Sequence, residues 1–517
     1  MTRSTLLACL AAFIAVACSS ASPSDPAVDP GPAPSRECES IAATRCDGLR
    51  VQTCEARGDG SAWSAPVECP GDQACRDDAC ADPTARQITQ AKSIGTLVDD
   101  LAEWSAWHEA VDAAAVKSKE TRAVLKGDGA DATFFGATWR VMNVFRQGHQ
   151  SLYSLDRSVC GKAMATQQTS RFGVCGRPSS SGGIAVTFAA ASNKLGLKAG
   201  DVVVSAGDDS GDAMFEAAYL RPVCGGVFPA KSGRRYAGAA SFFGTVPAGT
   251  KLSVRGIDGS TRDVTVPTDA DATATDCTDP FGRDRAVYAE AKTRPDGVAV
   301  IRLPSFFPFD KQFPQNPTQA EVDQLIADYQ SAIVEVFDTV KSAPAIIWDA
   351  RGNTGGITTV GLAIVGGFAS ARATPISYCR TRSPGSSPPS FESDRYALYD
   401  VTPGGPFAYA GKVAVLTDGL GYSAGDYFPF AAARASNAPV VGSASAGAFG
   451  GGNGPIELEG PPKLVANYDP TACFDAAANT PLEGNPLPPT VAVEYDPQDL
   501  AAGKDTILER AVKELGF

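Results

Sequence analysis

Residues 412–426 read K-V-A-V-L-T-D-G-L-G-Y-S-A-G-D. Val413, Ala414, Val415 and Leu416 form a short apolar run, as expected of a buried parallel strand. Asp418-Gly419-Leu420-Gly421 is turn chemistry, and Ser423 follows where a helix can begin. A serine on such a turn is held out for attack on a carbonyl, and the helix N-terminus favours the negative charge that results. The plainer reading makes Ser423 a helix cap, with Asp426 as its reciprocal partner. A serine nucleophile needs a base, and the chain has two histidines, His108 and His149. His149 lies in F-R-Q-G-H-Q-S-L-Y (145–153), where Gly148 should end a helix and leave the imidazole in a loop beside an ordered element. His108 follows Trp107 on a predicted helix, where a packed or surface role is expected.

The elements that must position these groups alternate between strand and helix from about residue 285. Residues 298–301 and 345–348 read as buried strands. Thr318 and Glu321 form a capping box that opens a helix with Val322, Leu325, Ile326, Tyr329, Ile333 and Phe337 on its apolar face. D-A-R-G-N-T-G-G (349–356) follows the second strand and leads into another helix. Pro429 falls early in the helix after Ser423 and should kink it. Asp505 caps a last helix carrying Leu508, Val512 and Leu515. Residues 86–147 read as helices, through Leu97, Val98, Leu101, Trp104, Ala110 and Val111, then Phe134, Phe135, Val141, Val144 and Phe145. The fold class is an α/β catalytic core (285–517) with a helical N-terminal part (86–165), an inserted β domain (168–267) and a small disulfide-rich N-terminal module (37–82).

The 517 residues suffice for about three domains, and a net charge of −13 argues against nucleic acid as a partner. Residues 1–18 look like an export signal, with Arg3, an apolar stretch from Leu6 to Val16, and small residues before Cys18. Ala15-Val16-Ala17-Cys18 resembles a bacterial lipoprotein processing site; that resemblance implies lipidation of Cys18, and ordinary cleavage with secretion is the alternative. Residues 19–36 are a Ser/Pro-rich tether expected to be disordered. Six of the 14 cysteines, Cys38, Cys46, Cys54, Cys69, Cys75 and Cys80, crowd one short segment. In an exported chain they imply three disulfides of open connectivity, rather than zinc, since no histidine is near. Cys160, Cys175, Cys224, Cys277, Cys379 and Cys473 suggest three more, with partners undetermined.

Residues 168–267 resemble a PDZ domain. Arg171-Phe172-Gly173-Val174 matches that family's carboxylate-binding loop, 195–203 matches its A-G-L-x-x-G-D-x-I signature, and a closing hairpin turns at Asp258-Gly259. The resemblance implies peptide binding by strand addition, with backbone amides taking the carboxylate. Residues 206–250 look like an insertion. With D-A-R-G-N-T-G-G, Y-S-A-G-D and D-L-A-A-G-K-D-T-I-L-E-R-A (499–511), the chain from 86 to 517 resembles the carboxyl-terminal processing and tricorn-core serine peptidases. One branch uses a Ser–Lys dyad, but Ala448 stands where its lysine would be, and Lys463 lies in a different context. The tricorn-like branch uses serine, histidine and glutamate, which implies Ser423 as nucleophile, His149 as base and Glu483 as the acid, with Asp469 and Asp475 in reserve. The oxyanion would rest on the amides of Ala424 and of Gly355 or Gly356. The resemblance implies an exported endopeptidase acting on polypeptides, in unfolded or C-terminal segments, at the bacterial envelope (outer membrane or periplasm) and held to the membrane by lipid only.

Three rival readings fit parts of the sequence. Gly421-Tyr422-Ser423-Ala424-Gly425 also fits the α/β-hydrolase elbow, but that fold places its histidine after the serine and none follows here. The glycine-dense 447–454 stretch lacks the G-K-[ST] end of a phosphate loop and reads as a mobile loop. No cofactor or catalytic metal is implied. The remaining alternative is a catalytically inactive, surface-anchored peptide-binding protein.

Overall fold

A computed structural model describes residues 38–517, apart from 39, 48, 58–59, 155–168, 222–224, 270–274, 284–287, 308–317, 371 and 452–453. The expected export signal, tether and Cys18, together with Cys160 and Cys224, lie outside the described residues.

The centre is a six-stranded sheet in the order Glu290–Thr293, Ala299–Arg302, Ala345–Asp349, Lys412–Thr417, Val440–Gly442, Val491–Ala492. The first pair is antiparallel and every later pair is parallel. Parallel strands need both faces covered, and the apolar composition of 345–348 and 413–416 supplies two such faces. Ile346, Trp348, Val413 and Val415 pack with Tyr329, Ile333, Val360 and Phe428 of the helices on one side. Ala345, Ile347, Ala414 and Leu416 pack with Ile507, Ala511 and Val512 of the C-terminal helix on the other. The capping box at Thr318 and Glu321 forms as expected, and Asp505 caps Thr506–Glu514 through the Leu508 amide. The helix Ala424–Ala435 runs through Pro429 as one element.

The helical part consists of Ala85–Trp104, Ala113–Lys126 and Asp131–Phe145, packed through Ile94, Leu97, Leu101, Phe134, Phe135, Trp139 and Met142. The first helix stops at Trp104, so His108 lies in the connection after it and not on the helix. Ser105 turns to extended geometry, and the Ala106 amide donates to the Asp469 carbonyl at 2.8 Å, which draws the chain onto the core. The helix Asp131–Phe145 ends on Arg146, in left-handed geometry, two residues before the glycine expected to stop it. The chain then forms the strand Ser151–Ser154, which pairs antiparallel with Leu464–Tyr468. That pairing, more than 300 residues apart in sequence, sews the helical part to the core beside His149.

Residues 169–265 contain the sheet Thr261–Thr265, Lys251–Arg255, Val202–Ala206, Ile184–Ala189, Val174–Pro178, with Asp209–Ser210 beside Val202–Ala206. The helices Gly211–Leu220 and Lys231–Thr245 fall within the stretch expected to be an insertion. The hairpin at Asp258-Gly259 closes as expected. Five disulfides join described residues: Cys38–Cys54, Cys46–Cys75, Cys69–Cys80, Cys175–Cys277 and Cys379–Cys473. The small module is docked rather than loose, since Arg76 donates to the carbonyls of Leu125 and Gly127 at the C-terminus of the second helix, at 3.0 and 3.1 Å.

Candidate active site

Ser423 stands where the strand Lys412–Thr417 turns into the helix Ala424–Ala435, at the carboxyl end of the parallel sheet. Its φ of 58° and ψ of −121° lie outside the ordinary regions for a residue with a side chain. Such a backbone costs about 1–3 kcal/mol and persists only where its surroundings hold it. The hydroxyl makes no cap hydrogen bond, so the capping-box reading does not describe this serine. The turn is pinned by backbone bonds instead: Tyr422 N–H to Asn353 O at 3.1 Å, Ser423 N–H to Ala448 O at 3.1 Å, and Gly425 N–H to Tyr422 O at 2.8 Å.

The loop 349–356 wraps this turn. Asp349 and Arg351 form a buried ion pair at 2.7 Å, and Arg351 also reaches Asp505 at 2.7 Å and the Tyr495 hydroxyl at 3.1 Å. Burial is offset by the two carboxylates, and the guanidinium pKa is raised. Gly352 N–H donates to Asp418 Oδ1 at 3.0 Å. Gly355 N–H donates to Asn353 Oδ1 at 2.9 Å, so this amide is spent within the loop and is not the second oxyanion donor. Gly355 matters for space: a Cβ there would meet Tyr422 O at 2.7 Å and Ser423 Cβ at 2.8 Å. Gly356 bridges Phe306 through its neighbours' bonds, Phe306 N–H to Gly355 O and Ile357 N–H to Phe306 O, and its own N–H takes no part in them.

His149 is buried, with φ +64°. Its N–H donates to the Tyr422 hydroxyl at 2.5 Å, and its ring centroid lies 5.1 Å from that of Tyr422. The preceding N–H, of Gly148, donates to Glu483 Oε1 at 2.5 Å. A Cβ at Gly148 would strike that carboxylate oxygen and approach Ala448 Cβ to 2.6 Å, so glycine is required here for close approach rather than as a helix stop. Burial lowers the imidazole pKa to about 4, and the ring is neutral at neutral pH, the form a base requires.

Glu483 is fully buried. Its Oε2 accepts from Phe449 N–H at 2.9 Å and Gly450 N–H at 3.0 Å. Burial and the charge of Asp469 push its pKa well above the usual carboxylate range, against the pull of the Gly148 and Gly450 amides. Asp426 accepts from Gly447 N–H at 2.7 Å and Ala448 N–H at 3.0 Å, and burial raises it to about 7. Asp469 accepts from Gly451 N–H at 3.0 Å and from the Gln147 amide at 3.3 Å. Five successive amides, 447 to 451, thus end on three buried carboxylates. The stretch expected to be mobile is held at every one of those residues. Asp475, the other reserve acid, pairs with Arg434 and caps the turn at Ala477 and Ala478, away from His149.

The structure brings Ser423, Ala424, Gly355, Gly356, His149 and Glu483 into one neighbourhood through Tyr422, Ala448 and Asn353. Residues 171–174 are elsewhere. The amides of Phe172 and Val174 donate to Ser170 Oγ at 3.2 and 3.1 Å, and the side chains of Phe172 and Val174 are buried. The Arg171 guanidinium is turned to Val246 O. Two of the four amides expected to receive a peptide carboxylate, those of Phe172 and Val174, are thus engaged with Ser170. Tyr422, Asp426 and Asn353 were not singled out from sequence as positioning groups. The signal available was their place inside Y-S-A-G-D and D-A-R-G-N-T-G-G. Among the described residues, no three His, Cys, Asp or Glu side chains are grouped to hold a metal.

Residues 297–493, most of the α/β core, match the model for peptidase family S41. With the serine turn described above, that match makes this chain a serine-type peptidase. A crystal structure of mature CPAF aligns with 84% of this chain and 97% of its own at 13% identity and a TM-score of 0.59. Mature CPAF complexed with lactacystin aligns over 84% and 98% at 13% identity with a TM-score of 0.56. The photosystem II D1 C-terminal processing protease aligns over 84% and 98% at 14% identity, with a TM-score of 0.42. The CPAF likeness is one of fold. No curated protein sequence matches the chain.

Proposed function

We propose that this protein is an exported serine endopeptidase that cleaves extended, unfolded polypeptide by a Ser-His-Glu mechanism. His149 takes the proton from Ser423 Oγ as the oxygen attacks a peptide carbonyl, then returns a proton to the leaving amine. Glu483 fixes the histidine loop through the Gly148 amide and so orients the imidazole. The amides of Ala424, at the first turn of its helix, and of Gly356 receive the oxyanion, and each such donor typically lowers the barrier by about 2.7–4 kcal/mol. The observation that carries the reading is the strained Ser423 backbone, with its hydroxyl unused as a cap and the clamped His149 loop beside it.

The protein is organised as an export signal (1–18), a tether (19–36), a cysteine-rich module (37–82), a helical part (86–165), a PDZ-like unit (168–267) and the core (285–517). Cys18 is the lipidation site, which anchors the mature chain in the envelope. No described helix is long and apolar enough to cross a membrane.

The test is labelling of the mature protein with a fluorophosphonate probe. Wild type labels, Ser423→Ala does not, and His149→Ala labels at a much lower but measurable rate, with circular dichroism unchanged. A well-folded wild type that never labels, with or without unstructured peptide present, would favour the inactive peptide-binding protein.

A further inference from the structure

We propose that Tyr422 is a positioning residue that sets the placement of His149 relative to Ser423; this rests on reading those two as base and nucleophile. Tyr422 is one covalent step from Ser423. Its hydroxyl accepts the His149 N–H at 2.5 Å, and its own N–H donates to Asn353 O at 3.1 Å. One residue therefore touches the nucleophile turn, the base loop and the loop that carries Gly355 and Gly356.

The phenol is itself held firmly. Its ring is buried and packs with Ala446, Ala448 and Phe228, the last edge-on with centroids 5.4 Å apart. Such a wall leaves the hydroxyl little freedom, which is what a positioning contact needs. His149 needs one, because its φ of +64° is a left-handed conformation uncommon outside glycine. Two successive amides hold the loop there, Gly148 on Glu483 and His149 on Tyr422. Glu483 lies 60 residues beyond the nucleophile in sequence, so its hold on the loop passes through a separate segment. Tyr422 joins the base loop to the nucleophile turn through a single side chain.

The test compares Tyr422→Phe, His149→Ala and the double variant by rate of fluorophosphonate labelling and by kcat and KM on an unstructured peptide. Phenylalanine keeps the ring and removes the acceptor. Misplacement of a catalytic group by 1 Å can cost about 100-fold. The expected result is a loss of roughly 10- to 100-fold in labelling rate and in kcat, with KM and circular dichroism near wild type. On the His149→Ala background Tyr422→Phe adds no further loss, because groups that act through one another are not additive. Phe228→Leu is the second variant: it loosens the ring wall, keeps the hydroxyl, and should give a smaller loss that also vanishes without His149. Wild-type labelling by Tyr422→Phe would overturn the proposal, as would an equal loss with His149 already absent. Labelling of His149→Ala at the wild-type rate would remove the base reading itself, and this inference with it.

Discussion

Gly355→Ala should disable the serine without unfolding the protein. At φ +108° an alanine is strained, which costs about 1–3 kcal/mol. The new methyl would also sit 2.7 Å from Tyr422 O and 2.8 Å from Ser423 Cβ. Carbon atoms rest at about 3.5–4.0 Å, so the nucleophile turn must retreat by roughly 0.7 Å or more. Overpacking of this kind adds about 1–3 kcal/mol to the destabilisation. A shift of that size at the attacking atom should slow labelling by about 10- to 100-fold. The strain is separable from the clash, because Gly404 has φ +90° with nothing within 4 Å of a Cβ. Gly404→Ala should therefore lose stability by the strain alone and keep its labelling rate. Urea unfolding measures the first quantity and fluorophosphonate kinetics the second. If Gly355→Ala labels as fast as Gly404→Ala, the glycine does not set the position of Ser423 and the reasoning fails.

Glu483→Gln exchanges an acceptor oxygen for a donor among three backbone N–H groups, which costs about 1–3 kcal/mol and should reduce peptide hydrolysis by more than about 10-fold; hydrolysis at the wild-type rate would exclude Glu483 from the site. The pH dependence of kcat/KM carries a clear sign. Burial favours neutral His149 and lowers its pKa from 6.5 to about 4, so activity should persist as pH falls through 6.5 and be lost only below about pH 5, with a limb near 6.5 counting against His149 as a buried base. The same shift adds stability above the unfolded value of 6.5, which is lost as pH falls toward 4, whereas Asp426, raised to about 7, removes stability as pH rises from 3.8 toward 7. Arg351→Met leaves Asp349 and Asp505 without their shared cation and should cost about 3–5 kcal/mol in urea unfolding, against little change if solvent reaches the pair.

Much of the site was legible because its parts are local. The strand, turn and helix around Ser423 follow from apolar run, glycines and spacing within one stretch, and 349–356 announces a tight loop by its glycines. Histidine scarcity directed attention to His149. What sequence could not show was who holds whom. Gly148 looked like a helix stop, yet its role is to let Glu483 approach from 335 residues away. Asp426 read as a cap partner because i+3 spacing suits one, but its carboxylate found two loop amides instead. The same amide-to-carboxylate bonding holds residues 447–451 of the glycine-rich stretch expected to move. Arg171 to Val174 matched a family's loop by residue type, while the Phe172 and Val174 amides are bonded to Ser170, a neighbour that the motif does not mention.

The bonding of that loop bears on the proposed handling of polypeptide substrates. A receptor for chain ends works by offering naked amides to an anion, and here a serine hydroxyl already engages two of them, those of Phe172 and Val174. Antiparallel pairing of Thr275–Asp276 with Thr169–Ser170 lays the chain's own backbone beside the same place. On the proposed function, discrimination among substrates would fall to the cleft around Ser423 and to how readily a substrate presents slack chain. If the proposed function holds, amidated and free-ended copies of one unstructured peptide should be cut at similar rates, which a paired hydrolysis assay would check.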